Sequence, residues 1–266
     1  MATPYLSVIV PAYKQEKTIT QDLLRIQKVL SQLRYSSELI CVVDGTSIDK
    51  TFDKASKIDG VKVVGYPTNK GKGHAVRFGM AKSKGKIIAF IDSGMDINPN
   101  GLSMILEHFE WYKADIIVGS KRHPASKVNY PWQRKILSWG YQMGVRTLFG
   151  LNVKDTQVGL KCYRREVLES VLPRMIVKNF AFDIEILAVA YHLGFKRIFE
   201  APIEAKIDFG KNSTVTSPKL LIFIYNMAVD TLAIFYRLHF LKYYDDGSKR
   251  NWRFDPELNF RVNTFR

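Results

Sequence analysis

Residues 86–96 read KIIAFIDSGMD, and this run indicates both the kind of sheet in the protein and the place of its site. The apolar segment 86–91 has the composition of a strand that is buried on both faces. It ends abruptly at Asp92, and a second carboxylate follows at Asp96. Open α/β sheets bind ligands at the carboxyl ends of their strands, and paired acids there suit a hard divalent cation that bridges to phosphate oxygens. The run therefore predicts a metal and phosphate site at a sheet edge.

The first 120 residues alternate between strand-like and helix-like segments. Five apolar runs predict strands at Leu6–Val10, Glu38–Val43, Val61–Tyr66, Lys86–Ile91 and Asp115–Gly119. The segments between them predict helices at Thr18–Leu33, around Asp49–Ile58, at His74–Lys82 and at Gly101–Trp111. Because continuous apolar strands that alternate with helices form parallel sheets covered on both faces, we predict an α/β fold with a mostly parallel central sheet.

Beyond Lys121 the pattern is less regular. It predicts a long helix, a strand, a second helix and a short edge strand at Tyr130–Phe149, Gly159–Tyr163, Phe182–Leu193 and Arg197–Pro202. Residues 216–244 are largely apolar and aromatic, with polar interruptions at Asn226, Asp230, Arg237 and His239. We expect one or two amphipathic helices there, either packed on the core or lying at a membrane surface. Residues 245–266 are polar with mixed charge, which predicts a partly disordered tail.

The chain is strongly basic, since 40 Lys and Arg residues oppose 25 Asp and Glu residues and give a formal net charge of +15. Such an excess favours anionic partners, which include nucleotide phosphates, anionic lipid headgroups and nucleic acid. The two cysteines, Cys41 and Cys162, lie inside apolar strand-like runs. They indicate buried hydrophobic side chains in a reducing compartment, without a disulfide framework.

Polar residues also follow two other predicted strands. Residues 11–16 (PAYKQE) place a ring and an acid where they can hold a nucleoside base, although a turn with Glu16 at a helix start explains the same residues. Asp44 ends the second strand, and an acid in that position needs a partner. Residues 69–74 (NKGKGH) begin a helix with two lysines, which favours phosphate, but short Gly-Lys loops are common. Together these strand edges predict a nucleotide pocket with a metal.

In their order and spacing, these motifs resemble those of the family 2 glycosyltransferases, which have the GT-A fold. The family segments P-x-Y-N-E, V-D-D-G-S-x-D, N-x-G and D-x-D are similar to residues 11–16, 42–49, 69–71 and 92–94. DTQVGLK at 155–161 and FAFDIEIL at 180–187 look like the D-T-Q-x-G-x-K and F-x-F-D-x-E-L segments of the dolichyl-phosphate mannosyltransferase-like branch, whose members are polyprenyl-phosphate glycosyltransferases. The resemblance covers about residues 5–215.

The resemblance implies a division of the chain. Residues 1–215 would form the GT-A catalytic domain, with nucleotide-sugar binding in about 1–120 and the acceptor part in about 121–215. Amphipathic, membrane-interfacial helices at 216–244 and a polar tail at 245–266 would follow. The implied nucleotide-sugar-binding residues are Pro11, Tyr13, Glu16, Asp44, Lys72, Asp92 and Gln157.

The chain departs from the family pattern at the metal motif. Gly94 stands where the second Asp of D-x-D belongs, and Asp96 restores a carboxylate two residues later. The resemblance then implies Mg²⁺ or Mn²⁺ held by Asp92 and Asp96. Smaller departures are Gln15 within the first motif, Val43 in place of a paired acid, and an apparent insertion at Ile48.

A basic segment follows the metal motif, since residues 116–154 contain seven Lys and Arg residues and no acid. A solvated basic face is one explanation. The resemblance instead implies that Lys121, Arg134 and Ser138 hold an acceptor phosphate, and the i, i+4 spacing of the last two places them on one helical face. Residues 206–213 (KIDFGKNS) resemble the flexible R-x-x-G-x-S-K loop that closes over the donor diphosphate, with Lys206 or Lys211 in place of the Arg. A plain polar loop is the alternative.

The resemblance implies a metal-dependent, inverting glycosyltransferase that moves a hexose from a GDP- or UDP-linked sugar to a polyprenyl (dolichyl or undecaprenyl) phosphate. Asp92 and Lys211 would act in catalysis, and Asp183 would be the base if the acceptor were a hydroxyl. A family 2 enzyme with a saccharide acceptor and a non-catalytic module that binds nucleotide sugar or nucleic acid are the alternatives. No nucleic-acid recognition motif is visible, so we expect no nucleic-acid partner. A lipid acceptor implies a cytoplasmic protein that is peripheral to the cytoplasmic face of a membrane, and a homo-oligomer is left open.

Overall fold

The computed structural model describes residues 3–128, 132–206, 220–246 and 251–264. The strands are β1 (Leu6–Ala12), β2 (Ser37–Asp44), β3 (Val61–Tyr66), β4 (Ile87–Ile91), β5 (Ile116–Ser120), β6 (Lys127–Val128), β7 (Leu160–Arg164), β8 (Ile198–Pro202), β9 (Glu204–Ala205), β10 (Asn251–Asp255) and β11 (Phe260–Thr264). The helices are α1 (Ile19–Leu30), α2 (Thr51–Ala55), α3 (Lys72–Lys82), α4 (Gly101–Tyr112), α5 (Trp132–Phe149), α6 (Arg165–Val171), α7 (Phe182–His192) and α8 (Leu220–His239), and a 3₁₀ turn spans Leu172–Arg174.

A seven-stranded sheet in the order β3-β2-β1-β4-β7-β5-β8 forms the centre of the molecule. All neighbouring strands are parallel except β7, which is antiparallel to both β4 and β5. Leu160 at the start of β7 therefore lies opposite Ile91 at the end of β4. This confirms the predicted mostly parallel α/β sheet, and it brings the residues before β7 to the carboxyl edge of β4.

The sheet is covered on both faces, because the central strands β1 and β4 are almost entirely apolar and are buried at every position. In β4, Ile88 and Phe90 join one buried cluster, whereas Ile87, Ala89 and Ile91 join the cluster on the other face. Because successive side chains of a strand point to opposite faces, β4 contributes to two hydrophobic cores, one on each face of the sheet. The layer with α1 fills one, and the layer with α3 and α7 fills the other.

Residues 220–244 are the described part of the segment that predicted one or two helices, and they contain one helix of 20 residues, α8. It packs on the protein through Met227, Thr231, Ile234 and Leu238, which are all buried. The opposite side of α8 is a stripe of exposed apolar residues at helical spacing, formed by Ile222, Tyr225, Val229, Leu232 and Tyr236, and Phe240 just after the helix extends it. Within the described ranges, none of the helices combines the length and hydropathy that a membrane crossing requires.

The segment predicted as a polar tail contains an antiparallel hairpin, in which Asn251 pairs with Thr264 and Asp255 with Phe260. Its turn closes with the Asn259 N–H donating to the Asp255 carbonyl at 2.8 Å. Leu258 is buried in the core, which ties the hairpin to the body of the protein. Strong charge masks this short apolar pattern in the sequence.

Candidate active site

The carboxyl edge of the central sheet brings together most of the predicted site. β2 ends in Asp44, β4 is followed directly by Asp92, and α3 begins at Lys72 after the loop of residues 69–71. These strands are near neighbours in the sheet, which is why residues far apart in sequence meet.

Asp44 holds the loop that precedes α3. Its Oδ1 accepts the Lys70 backbone N–H at 2.7 Å, and its Oδ2 accepts the Gly71 N–H at 3.0 Å. Gly71 has φ +96° and a Cβ there would lie 2.7 Å from the Lys178 carbonyl oxygen, so the close approach requires glycine. The partner that an acid at the end of β2 needs is thus the backbone of this loop.

Asp92 pairs with Lys72. Its Oδ2 accepts from the Lys72 Nζ at 2.7 Å, while its backbone N–H donates to the Gly159 carbonyl at 2.8 Å. Burial lowers the pKa of Lys72, but Asp92 and then Asp183 outweigh burial and hold that pKa above its usual value. Lys72 is therefore protonated and positively charged at neutral pH, beside the Asp92 carboxylate.

A second ion pair lies beneath the first. Lys161 of β7 is fully buried, and its Nζ donates to Asp183 Oδ1 at 2.5 Å and to the Val158 carbonyl at 2.7 Å. Burial raises the pKa of Asp183 and lowers that of Lys161, and the attraction between the two opposes both changes. Asp183, the base predicted for a hydroxyl acceptor, is therefore engaged with an interior lysine.

The carboxylates fit a divalent cation. Asp92 Oδ1 is buried and has no hydrogen-bond partner among the described residues, so one acid oxygen remains available at the site. Asp96 is exposed in the same loop. The described ranges contain no group of three or more His, Cys, Asp or Glu residues arranged as a metal site. Mg²⁺ needs only one or two carboxylates when substrate phosphates complete its shell, so the unpaired oxygen of Asp92 suits such an ion.

The loop that carries the metal motif is supported from α1. Asp22 is buried, and its Oδ2 accepts the Gly94 N–H at 3.0 Å. Gly94 has φ +92° and Met95 has φ +56°, so the chain turns sharply between the two predicted metal ligands. Asp22 was not among the predicted site residues, although an acid three residues after Ile19, on the apolar face of a predicted amphipathic helix, is a detectable signal.

The other predicted nucleotide-sugar residues lie around this edge. Pro11 is buried within β1, and Tyr13 follows it as an exposed ring. Glu16 Oε2 accepts the Lys50 N–H at 3.2 Å, so this acid supports the turn before α2. The Gln157 amide nitrogen lies 3.7 Å from the Met227 sulfur.

A basic cavity of about 690 Å³ includes Gln157, two residues before the Gly159 carbonyl that accepts the Asp92 N–H. It is lined by four cations, Lys121, Arg122, Arg146 and Lys154, together with Gln157 and the exposed apolar side chains of Trp139 and Met143. Asp155 is buried at this cavity, and its Oδ2 accepts the Lys121 N–H at 3.1 Å. The predicted acceptor residue Lys121 and the predicted donor residue Gln157 thus line one space.

Three predicted residues cannot be placed at the level of their side chains. Arg134 and Ser138 belong to α5, but their side chains lie outside the described part of the structure, and Lys211 lies outside the described residues altogether. Lys206 is described, and its N–H donates to the Asp96 carbonyl at 2.8 Å. The segment predicted to close over the donor therefore begins beside the metal motif.

Comparison with known proteins identifies the family of the chain. Residues 7–172 match the family model for glycosyl transferase family 2. The chain belongs to this family. The match contains the metal motif, the Lys72 loop and the basic cavity, whereas α7 with Asp183, α8 and the C-terminal hairpin lie beyond it.

Curated relatives in this family are named as polyprenyl-phosphate sugar transferases. The chain is 29% identical to dolichyl-phosphate beta-glucosyltransferase of Dictyostelium discoideum, over 71% of this chain and 63% of that protein. It is 31% identical to a dolichyl-phosphate beta-glucosyltransferase of Trichomonas vaginalis, over 75% of this chain and 63% of that protein. It is 30% identical to undecaprenyl-phosphate mannosyltransferase of Micrococcus luteus, over 73% of this chain and 81% of that protein.

A solved structure supports the fold. The crystal structure of glucosyl-3-phosphoglycerate synthase from Mycobacterium tuberculosis, in complex with Mn²⁺, UDP and phosphoglyceric acid, superposes with a TM-score of 0.66. It covers 98% of this chain and 87% of the synthase at 20% identity, so the likeness concerns the fold. The family 2 chain therefore has the predicted GT-A fold.

Proposed function

We propose that this chain transfers a hexose from a nucleotide-diphosphate sugar to a polyprenyl phosphate, with inversion at the anomeric carbon. The observation that carries the proposal is the basic cavity, which is lined by four cations, Trp139 and Met143. Gln157 also lines it, two residues before the Gly159 carbonyl that accepts the Asp92 N–H. Cations suit an acceptor phosphate, and the apolar side chains suit the first units of a lipid. The names of the relatives support the same acceptor class.

The carboxyl edge of the sheet that carries Asp44, Lys72 and Asp92, called the donor edge from here on, would stabilise the leaving nucleotide diphosphate. Mg²⁺ or Mn²⁺ held by Asp92 and Asp96 would neutralise charge on the departing diphosphate. Lys72, a half-buried cation 2.7 Å from Asp92, keeps positive charge at the same place. Lys206 at the start of the closing segment, and Lys211 within it, would add to this charge. The sugar would pass through an oxocarbenium-like state.

The acceptor would need positioning more than deprotonation. A phosphate monoester is largely dianionic above its second pKa of about 6, so it needs no general base at neutral pH. A hydroxyl acceptor would need one, and Asp183 was the predicted candidate. Because Asp183 is buried and paired with Lys161, its environment favours the phosphate acceptor. Lys121 with Arg134 and Ser138 would orient the phosphate for in-line attack.

Membrane contact would follow from such an acceptor. The apolar stripe on α8 and the exposed Trp139 and Met143 of α5 can enter a bilayer surface, while the net charge of +15 attracts anionic lipids. Tyr141 of α5 hydrogen-bonds Thr231 of α8 at 2.7 Å, so the two helices are joined. We infer that the protein works at the cytoplasmic face of a membrane.

The proposal is tested by a transfer assay with two classes of acceptor. UDP-glucose, GDP-mannose and UDP-N-acetylglucosamine are offered in turn with a polyprenyl phosphate or with a free saccharide. We expect product only with the lipid phosphate, loss of product with EDTA, and a β-linked product from an α-linked donor. Asp92→Asn should abolish transfer, because it removes charge from the metal motif.

Two variants make this test specific. Glu169→Gln changes an exposed acid of α6, which follows the end of β7 opposite the site, and should leave transfer unchanged. Arg146→Met should raise the KM for the lipid phosphate without raising the KM for the donor, because it removes one cation of the cavity. Transfer exclusively to a hydroxyl acceptor, or full activity of Asp92→Asn, would contradict the proposal.

A further inference from the structure

The C-terminal hairpin reaches the donor edge, although it lies outside the residues that match the family model. It is seated on the protein by buried Leu258 and by Phe260, whose ring lies 5.7 Å from the Arg77 guanidinium. The Tyr243 hydroxyl donates to the Asn263 carbonyl at 3.1 Å and joins the hairpin to the segment after α8. The hairpin is therefore part of the folded body.

The turn of the hairpin places one carboxylate, that of Glu257, beside the loop of residues 69–71 that precedes α3. Asp255 Oδ1 accepts the N–H groups of Glu257 and Leu258 at 2.9 and 3.1 Å, which fixes the backbone of the turn. Glu257 then accepts from the Lys70 Nζ with both oxygens, at 2.7 and 2.8 Å. Each side chain of this pair is only about one-third exposed, so solvent screens the pair less than it screens a surface pair. His74 of α3 also lies near, with its Nε2 3.7 Å from Glu257.

Three carboxylates thus hold the loop that starts α3, each at a different point. Asp44 binds two backbone N–H groups, Asp92 binds the Lys72 side chain, and Glu257 binds the Lys70 side chain. The first two belong to the strand edges of the family domain. The third comes from the far end of the chain.

We propose that Glu257 is a positioning residue for donor binding: by holding Lys70, it keeps residues 69–73 in the conformation that receives the nucleotide diphosphate. The inference rests on the proposed function, since it concerns the donor of the same reaction. Glu257 acts through Lys70 and touches no reacting atom. Its loss should therefore weaken donor binding and leave the chemical step and the acceptor unaffected.

The first test measures binding of UDP and of GDP, with Mn²⁺ and without acceptor, to wild type and to Glu257→Gln by calorimetry. We expect the Kd of whichever nucleotide binds to rise about fivefold, the scale of a well-formed, partly exposed ion pair. In the transfer assay the donor KM should rise by the same factor, with kcat and the acceptor KM unchanged. Glu107→Gln breaks the exposed Arg34–Glu107 pair on the surface and should change none of these values.

Coupling between the partners supplies the second test. Lys70→Met should have the same effect as Glu257→Gln, and the double variant should be no worse than either, because both remove one interaction. Amide hydrogen exchange in residues 69–73 should accelerate in each variant, whereas the strands of the central sheet should keep their protection. This readout does not depend on activity.

The outcomes separate the two proposals. Unchanged nucleotide Kd and unchanged exchange of residues 69–73 in a folded Glu257→Gln protein would overturn the role of Glu257 alone. Additive effects of the two substitutions would do the same, since Lys70 would then act without Glu257. If wild type binds neither UDP nor GDP, the proposed function falls and the role of Glu257 falls with it.

Discussion

The Asp92 carboxylate occupies the space that a side chain at Gly159 would fill. Gly159→Ala therefore perturbs the metal motif although no residue of the motif is substituted. A Cβ at Gly159 would lie 1.9 Å from Asp92 Oδ2 and 2.2 Å from its carboxyl carbon. The ordinary contact range begins at 3.4 Å, so the carboxylate must retreat by about 1.5 Å. Lys72 holds that oxygen at 2.7 Å, and the retreat also strains or breaks this pair.

The expected loss follows from that displacement. A catalytic group misplaced by about 1 Å costs on the order of 100-fold in rate, or about 2.7 kcal/mol of transition-state stabilisation. We therefore expect kcat/KM for hexose transfer to fall about 100-fold, and the Mn²⁺ concentration for half-maximal activity to rise. Gly159 does not have a positive φ, so alanine is compatible with its backbone, and the effect arises from the contact.

The assay is steady-state transfer to a polyprenyl phosphate at saturating acceptor, with donor and Mn²⁺ varied in separate series. Gly144→Ala is the matched control, because a Cβ at this position of α5 meets no atom within 4 Å. Thermal unfolding of both variants verifies that they are folded. A folded Gly159→Ala protein with kcat/KM within threefold of wild type would refute the role given to the Asp92 carboxylate.

Three further predictions concern the interior, the pH dependence and the surface. Lys161→Met should lower the free energy of unfolding by about 3 kcal/mol or more in urea denaturation, because it leaves Asp183 buried without its cation, and adding Asp183→Leu should restore most of the loss. Burial lowers the pKa of His74 below its ordinary 6.5, although the negative charge of Glu257 opposes this change. As the pH falls, the unfolded chain therefore binds a proton at this histidine before the folded protein does. The melting temperature should fall as pH drops below about 6.5, and His74→Gln should reduce this fall. Sedimentation with anionic vesicles should weaken as salt rises, and Leu232→Glu in the α8 stripe should weaken it further at constant salt; equal sedimentation of both proteins would exclude the stripe as the contact.

The sequence was informative where the physical signal is local. Continuous apolar runs that alternate with helical periodicity give the parallel sheet, and the carboxyl-edge rule then places Asp44 and Asp92 at one end of it. The partners of these acids could not be predicted in the same way. Asp44 binds the backbone of Lys70, 26 residues away, and only the register of β2 against β3 decides that they meet.

Residues that support the site were visible but ambiguous. Lys161 interrupts an apolar strand, and a charge there requires a buried partner, yet the strand pattern alone does not say which acid supplies it. The hairpin gave weaker signals still. Glu257 reads as one of many charges in a polar segment, and its importance appears only when Leu258 beside it is found in the core.

The antiparallel direction of β7 explains why residues predicted for the donor and for the acceptor meet at one edge of the sheet. Because β7 runs against β4, the segment 155–159 that enters it crosses the same sheet edge at which β4 ends. Asp155 at its start holds the Lys121 N–H in the basic cavity, and Gly159 at its end packs against Asp92. A parallel strand in this place would deliver the same residues to the opposite end of the sheet. The length of segment 155–159 and the direction of β7 together therefore set the distance between Lys121, expected to bind the acceptor, and Asp92, expected to bind the metal.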